Sequence, residues 1–192
     1  PLWSHSLGGA MADMALAMAT ANDGAVVVGG HTGSAEFHVD DVFQMSTGVT
    51  SQRKVFVSRF APDGQPQWTR VYGGPGDDRL RAAACDSTGA ALIAGFTIPG
   101  PNDDYFAFDE AVYQLSGKFD AYYAKISAGG DVLFSNVFGE EKDEVLLAIA
   151  ADYEDNVLLG GYFSSMFVDL GSGPVPYTQG AEQYEPVVGM LS

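Results

Sequence analysis

The chain has 192 residues, of which 46% are hydrophobic and only 18% are charged. This balance excludes wholesale disorder, which requires low hydrophobicity together with dense charge, and the length is sufficient to bury a sizeable core. The net charge of −16, from 25 acidic residues against 9 lysines and arginines, disfavours binding to nucleic acid or anionic lipid, which are themselves negative, and leaves cation binding open.

Cysteine content and hydropathy add two further limits. Cys85 is the single cysteine, so an intrachain disulfide is excluded. No uninterrupted apolar stretch approaches the roughly 18 residues of a membrane-spanning helix. The chain begins at Pro1 rather than at methionine, and we expect either that a signal peptide was cleaved or that the chain is a segment of a longer one.

A repeat of about 65 residues runs through the whole chain. The run Trp3-Ser-His-Ser-Leu-Gly-Gly returns as Trp68-Thr-Arg-Val-Tyr-Gly-Gly and again as Phe134-Ser-Asn-Val-Phe-Gly-Glu. The register also holds between these aromatic starts. We divide the single domain 1–192 into repeats 3–67, 68–133 and 134–192.

Each repeat contains four apolar runs separated by turns rich in Gly, Asp and Asn, which is typical of four short strands. An alanine-rich run comes after each aromatic start and its turn, at residues 14–20, 79–85 and 145–151. A Gly-Gly run, a third run and the next aromatic run follow. Small alanine side chains suit an innermost strand, where neighbouring sheets converge. The sequence therefore predicts an all-β chain of antiparallel four-stranded propeller blades.

An insert of roughly 20 residues separates the second and third runs of each repeat. The three inserts are residues 33–54, 98–120 and 164–185. They carry four of the nine prolines, and we expect them to form loops or small hairpins on the rim.

The middle repeat resembles a known family. The stretch Trp68-Thr-Arg-Val-Tyr-Gly-Gly-Pro-Gly-Asp-Asp78 and the strand Ala91-Leu-Ile-Ala-Gly-Phe-Thr97 resemble the bacterial beta-propeller repeat, the seven-bladed or SBBP type. Phe119-Asp-Ala-Tyr-Tyr-Ala-Lys-Ile126 is similar to another strand of that repeat. The resemblance implies a propeller fold and a secreted or surface-attached bacterial protein, usually without assigned activity. Residues 10–12 and 140–142 depart from the family's glycine turn.

The strand order predicts an incomplete set of blades. With the alanine run innermost, residues 2–7 form a lone outer strand, two complete blades follow, and the third lacks its outer strand. Closed rings have roughly 4 to 8 blades, and open strand edges invite pairing. We expect a segment of a longer propeller, or copies that pair head to tail into a six-bladed ring.

No catalytic, cofactor-binding or metal site is predicted. The histidines His5, His31 and His38 lack zinc spacing, and Cys85 lies in a column of small residues, which favours a buried, inert thiol. Calcium is the one cofactor left open, through acidic groups that we interpret mainly as turn caps. These groups are Asp77-Asp78, Asn102-Asp103-Asp104, Glu140-Glu141 with Asp143-Glu144, and the repeated position Asp13, Asp78 and Glu144.

Aromatic side chains in two inserts allow two interpretations. They either form a rim that binds glycan or protein, or cover the sheet beneath them, which we favour. The residues concerned are Tyr105, Phe106, Phe108, Tyr113, Tyr177 and Tyr184.

The sequence as a whole favours a non-catalytic extracellular or cell-surface module. Its role would be protein–protein interaction or structural assembly, with other chains bound at the open strand edges and neither nucleic acid nor membrane insertion involved. The alternatives are a glycan-binding lectin and a propeller segment of a secreted hydrolase or quinoprotein-like enzyme. The alanine and aliphatic columns of the inner strands argue against a polar central site.

Overall fold

A computed structural model describes residues 2–40, 42–46, 52–100, 105–170, 173–177 and 183–191, and these are all-β, without a helix. The strands are β1 Leu7–Gly8, β2 Asp13–Thr20, β3 Val26–Thr32, β4 Glu36–Val39, β5 Val42–Ser46, β6 Lys54–Phe60, β7 Pro66–Tyr72, β8 Asp77–Cys85, β9 Ala91–Ile98, β10 Tyr105–Phe108, β11 Ala111–Gln114, β12 Asp120–Ile126, β13 Val132–Phe138, β14 Glu144–Ala151, β15 Val157–Phe163, β16 Phe167–Asp169, β17 Pro174–Pro176 and β18 Glu185–Leu191.

Three antiparallel sheets form the body of the structure. The N-terminal sheet has the order β2-β3-β6-β7, the middle sheet β8-β9-β12-β13, and the C-terminal sheet β14-β15-β18. The alanine-rich runs are strands, as predicted, and each lies at one edge of its sheet. The C-terminal sheet ends at β18, and no described residue pairs with the far edge of that strand.

Glycines in the second strand of each sheet allow a close backbone approach. Each alanine strand carries a β-bulge at the same point of the repeat, and a Gly-Gly pair or Ala-Gly pair lies opposite it. A Cβ added to Gly30, Gly95 or Gly161 would stand 1.9 to 2.1 Å from the carbonyl oxygen of Met14, Arg79 or Val145. Only glycine fits there, because a side chain would collide with backbone.

The core lies between the sheets. Val27 and Val57 of the N-terminal sheet pack with Leu80 and Ile93 of the middle sheet, and all four side chains are buried. The opposite face of the middle sheet packs on the C-terminal sheet through a second set: Leu92, Ala94, Tyr123, Ile149, Val157 and Leu159. Burying one such large aliphatic side chain contributes about 1.5–3 kcal/mol.

The three inserts form hairpins, which confirms one of the two forms predicted for them. They are β4-β5, β10-β11 and β16-β17. Phe106 and Phe108 of the second hairpin are buried against Tyr122 of the middle sheet, with Phe106 stacked 4.8 Å from the tyrosine ring. The hairpin therefore covers part of the sheet.

The predicted outer strand at residues 2–7 is wrong in extent. Only Leu7 and Gly8 are in a strand, and they pair with Val39 and His38 of the first insert. The physical reason is that an outer strand needs a neighbour of the β6 type, and none of the described residues supplies it. The segment is nevertheless anchored, because Trp3 stacks on Phe60 with 5.8 Å between ring centroids.

Membrane-spanning helices are not found in the described part of the chain.

Candidate functional site

The repeated acidic position caps a turn in every repeat, as predicted. Each carboxylate accepts a hydrogen bond from the backbone N–H four residues before it. The pairs are Gly9 to Asp13 at 2.8 Å, Gly74 to Asp78 at 3.0 Å, and Glu140 to Glu144 at 2.8 Å. The acidic column therefore has a structural role in all three turns.

Asp78 also forms a buried ion pair across the junction of two sheets. Lys54, the first residue of β6, brings Nζ to 3.1 Å from Asp78 Oδ2, and the same ammonium donates to the carbonyl oxygens of Gly74 and Gly76. Thr97 donates its hydroxyl to the other carboxylate oxygen at 2.6 Å. Burial raises the pKa of Asp78 to about 6, although the lysine opposes this shift.

The neighbouring carboxylate, Asp77, is paired as well. Arg53 Nη1 lies 3.0 Å and Arg79 Nη2 lies 2.6 Å from Asp77 Oδ2. Cations of the chain itself therefore stand where the calcium hypothesis would place a metal at Asp77 and Asp78. The candidates Asn102, Asp103 and Asp104 lie outside the described residues, and the rest of the described chain contains no grouping of three or more ligand side chains suited to a metal.

The second sheet junction carries a different charge arrangement. Asp120 begins β12 as Lys54 begins β6, and its carboxylate accepts the N–H groups of Ser116 at 2.6 Å and Gly117 at 2.9 Å. Burial raises the pKa of Glu144, and the negative charge of Asp120 raises it further. The second sheet junction thus brings two acidic side chains together, whereas the first junction has an ion pair.

The three histidines lie in different parts of the fold. His31 is buried in β3, whereas Asp40 is bonded to His5, whose Nδ1 is 2.8 Å from its carboxylate. His5 Nε2 also lies 2.7 Å from the Gly64 carbonyl oxygen, and the hydrogen bond to Asp40 raises its pKa. His38 belongs to β4, near Glu36.

His31 should make the protein sensitive to mild acid. Burial lowers its pKa to about 4, so the folded chain keeps the ring neutral while the unfolded chain protonates it below about 6.5. This contribution to stability is present above pH 6.5 and is lost as the pH falls towards 4. Phenylalanine is the residue at the matching position, Phe96. When the pH is lowered from 7 to 5, we expect the free energy of unfolding of His31→Phe to fall by about 2 kcal/mol less than that of the parent. Urea denaturation at both pH values measures the difference, and equal losses in parent and variant would contradict it.

Cys85 is held in its protonated form. The side chain is half-buried at the end of β8, and burial raises its thiol pKa to about 11. Since the thiolate is the reactive species, this environment is that of a structural cysteine.

The insert aromatics mostly cover the sheets beneath them. Phe106 and Phe108 are buried, and the Tyr113 hydroxyl donates to the Ser135 carbonyl at 2.7 Å. Tyr105 remains 37% exposed. In the third insert, the Tyr184 hydroxyl donates to Asp143 at 3.1 Å. The aromatic rim expected of a glycan-binding surface is therefore reduced to scattered side chains.

The outer face of the C-terminal sheet is apolar and open. Leu147, Val188 and Met190 are 49%, 80% and 58% exposed. At the position of the middle sheet that matches Val188, Tyr123 is buried against the C-terminal sheet. A face that carries a neighbouring sheet in one repeat is thus uncovered in the next.

The N-terminal segment lies on the N-terminal sheet in the way that β7 lies on the middle sheet. Equivalent side chains make equivalent hydrogen bonds to carbonyl oxygens of the following turn. These are Trp3 Nε1 to Pro62 at 3.1 Å and Trp68 Nε1 to Ala128 at 2.9 Å, with His5 Nε2 to Gly64 at 2.7 Å and Arg70 Nε to Gly130 at 3.0 Å. Residues 2–7 therefore occupy the place of an outer strand, although the described residues include no β6-type strand beside them.

Comparison with known proteins gives one partial similarity. The chain is 28% identical over 150 residues to the regulatory protein FlaEY of Caulobacter vibrioides. The match covers 74% of this chain and 15% of FlaEY. No family model matches the chain.

Proposed function

We propose that this chain is a non-catalytic module for protein–protein interaction or structural assembly, built of propeller-type blades whose open strand edges join further blades of the same type, in a second copy, another chain or a longer propeller. The observation that carries this proposal is the complementarity of its two ends. The C-terminal sheet has a strand edge at β18 that no described residue covers, and residues 2–7 hold the place of an outer strand with no β6-type strand among the described residues beside them.

The repeat gives the register in which an outer strand would add to β18. In the N-terminal sheet, Arg59 of β6 pairs with Trp68 of β7. The matching residue of β18 is Met190, and the matching residue of the N-terminal segment is Trp3. A strand of this type would therefore place its tryptophan beside the exposed Met190 side chain. Main-chain hydrogen bonds would supply affinity, and the tryptophan would supply specificity.

The N-terminal segment itself is the probe for this edge. We expect a synthetic peptide of residues 2–9 to bind the intact chain, and the same peptide with Trp3→Ala to bind at least about tenfold more weakly, since burying a large side chain contributes about 1.5–3 kcal/mol. Fluorescence anisotropy of the labelled peptide measures both affinities. Equal binding of the two peptides, or no binding of either, would remove the strand-acceptor proposal.

A pair of matched variants locates the binding site. Met190→Asp should weaken peptide binding because it places a charge under the tryptophan. Met14→Asp makes the same change on β2, at the other end of the chain, where Met14 is also exposed. It should leave the affinity unchanged.

The place of action proposed is the cell surface or the extracellular medium. The resemblance of the repeats to the bacterial beta-propeller family supports this, as does the strong acidity of the chain. The printed name of the similar protein, a regulatory protein, is compatible with action through contact. An enzymatic role finds no support in the described side chains, where the buried carboxylates act as turn caps and ion-pair partners.

A further inference from the structure

A groove at the N-terminal end has a negative lining. Its volume is about 720 Å³, and the carboxylates of Asp13, Glu36 and Asp40 contribute to its wall. Gly9 and Met11 also line this groove. Among the described lining residues there is neither lysine nor arginine. Asp40 is paired with His5, and Glu36 lies near His38, so Asp13 is the carboxylate of this groove for which the described residues supply no cationic partner.

At the matching site of the middle sheet, a lysine of the chain itself is bound. Asp78 matches Asp13, and Gly74 and Gly76 match Gly9 and Met11. There the ammonium of Lys54, which belongs to the preceding sheet, lies 3.1 Å from the carboxylate and 3.3 Å from the Gly76 carbonyl oxygen. At this junction the arrangement of one carboxylate and two carbonyls holds an ammonium, whereas at the second junction the acid Asp120 begins the matching strand and faces Glu144.

The two carboxylates are held alike. Asp13 accepts the N–H of Gly9 on Oδ2 and the hydroxyl of Thr32 on Oδ1, as Asp78 accepts Gly74 and Thr97. The difference is the third donor. Ser34 Oγ, 2.9 Å from Asp13 Oδ2, is neutral, and within the described part of the chain no lysine, arginine or histidine forms an ion pair with Asp13.

We infer that the groove at Asp13 binds the side-chain ammonium of a lysine on a partner strand, and that it thereby selects which chain joins the N-terminal sheet. This inference rests on the proposed assembly function. The three donors of an ammonium match the carboxylate and the two carbonyl oxygens, as they do at Lys54. An anionic or neutral partner would leave the negative charge of Asp13 without a counter-ion on assembly.

The chain's own C-terminal sheet does not supply this lysine. Lys54, Asp120 and Glu185 are the first residues of β6, β12 and β18, so a second copy would present Glu185 to Asp13. The favoured partner is therefore a chain of the same repeat type whose last sheet carries lysine at this position, rather than an identical copy.

A small ligand tests the groove directly. Backbone amide shifts of Gly9, Met11 and Asp13 should respond saturably to Nα-acetyl-lysine methylamide and should not respond to the norleucine analogue, which lacks the ammonium. Asp13→Asn should weaken lysine binding at least about tenfold, whereas Glu141→Gln, an exposed carboxylate far along the chain, should not. Equal responses to both ligands, or unchanged binding by Asp13→Asn, would overturn the inference.

A gain of association separates this inference from the assembly proposal. Glu185→Lys should increase self-association at least tenfold over Glu185→Gln in sedimentation velocity, and adding Asp13→Asn should reverse the gain. If the lysine ligand binds at Asp13 but Glu185→Lys does not associate, the groove stands and end-to-end assembly fails. If Glu185→Lys associates and Asp13→Asn has no effect on it, assembly stands and the lysine site fails.

Discussion

Replacing Lys54 with methionine should lower the free energy of unfolding by about 3–5 kcal/mol at neutral pH, because it leaves the buried Asp78 carboxylate without its cation. Lys54 and Asp78 are both buried, and their ion pair joins the N-terminal sheet to the middle sheet. Methionine keeps the length of the side chain and removes the charge. Guanidinium denaturation at pH 7 measures the loss.

The pH dependence of this variant provides an internal check. Burial already holds the pKa of Asp78 above its ordinary value of 3.8, so this carboxyl adds stability at low pH that is lost as the pH rises through about 4 to 6. Without Lys54 the pKa rises further, and the loss extends to higher pH. The cost of Lys54→Met should therefore be smaller at pH 5 than at pH 8.

Arg53→Met is the matched control for that substitution. The Arg53 pair with Asp77 is partly exposed, and such pairs contribute about 0–1 kcal/mol. The double variant Lys54→Met with Asp78→Asn should recover most of the stability lost in the single variant, since no buried charge remains. A cost of Lys54→Met no larger than that of Arg53→Met would show that the sheets are not joined by this pair.

Gly161→Ala should destabilise the protein by about 3 kcal/mol, while Gly160→Ala, one residue earlier, should change stability by no more than about 0.5 kcal/mol. The Cβ at position 161 would lie 2.0 Å from the Val145 carbonyl oxygen, which is backbone and cannot move aside. The Cβ at 160 would meet only the Ala148 methyl, at an ordinary 3.6 Å. Thermal and chemical denaturation of the two variants give the comparison.

The same substitution should be costly in the other two repeats. Gly30 and Gly95 oppose the matching bulges, with carbonyl oxygens 1.9 and 2.1 Å from an added Cβ. A common backbone geometry predicts that Gly30→Ala and Gly95→Ala lose as much stability as Gly161→Ala, within about 1 kcal/mol. One tolerated alanine among the three would show that the repeats differ in register there.

The strands were predictable because their signals are local. Alternating apolar runs between glycine and aspartate turns repeat in register. A pattern that is weak in one copy is easier to recognise when three copies align. The alanine runs lacked a distinctive strand signal, since alanine favours helix, but their length and glycine boundaries indicated strands, and Asp13–Thr20 is one.

The contacts between repeats could not be read in the same way. Lys54 lies in an insert-to-strand junction, and only folding brings its ammonium beside Asp78 of the next repeat. A comparison of the residues that end the three inserts, Lys54 against Asp120 and Glu185, is the signal that could have pointed to it. The secondary structure of residues 2–7 could not be predicted either, because a strand forms only where a partner strand is present.

Hydrogen exchange of the β18 amides tests the central claim most directly. In the free chain, the N–H groups of β18 that point away from β15 should exchange rapidly, while those bonded to β15, and both sides of β6 and β12, should be protected. Adding the peptide of residues 2–9 should slow the exposed set and leave the N-terminal sheet unchanged. Full protection of β18 in the free monomer, or no change on saturation with the peptide, would contradict the account of an open edge that accepts an outer strand.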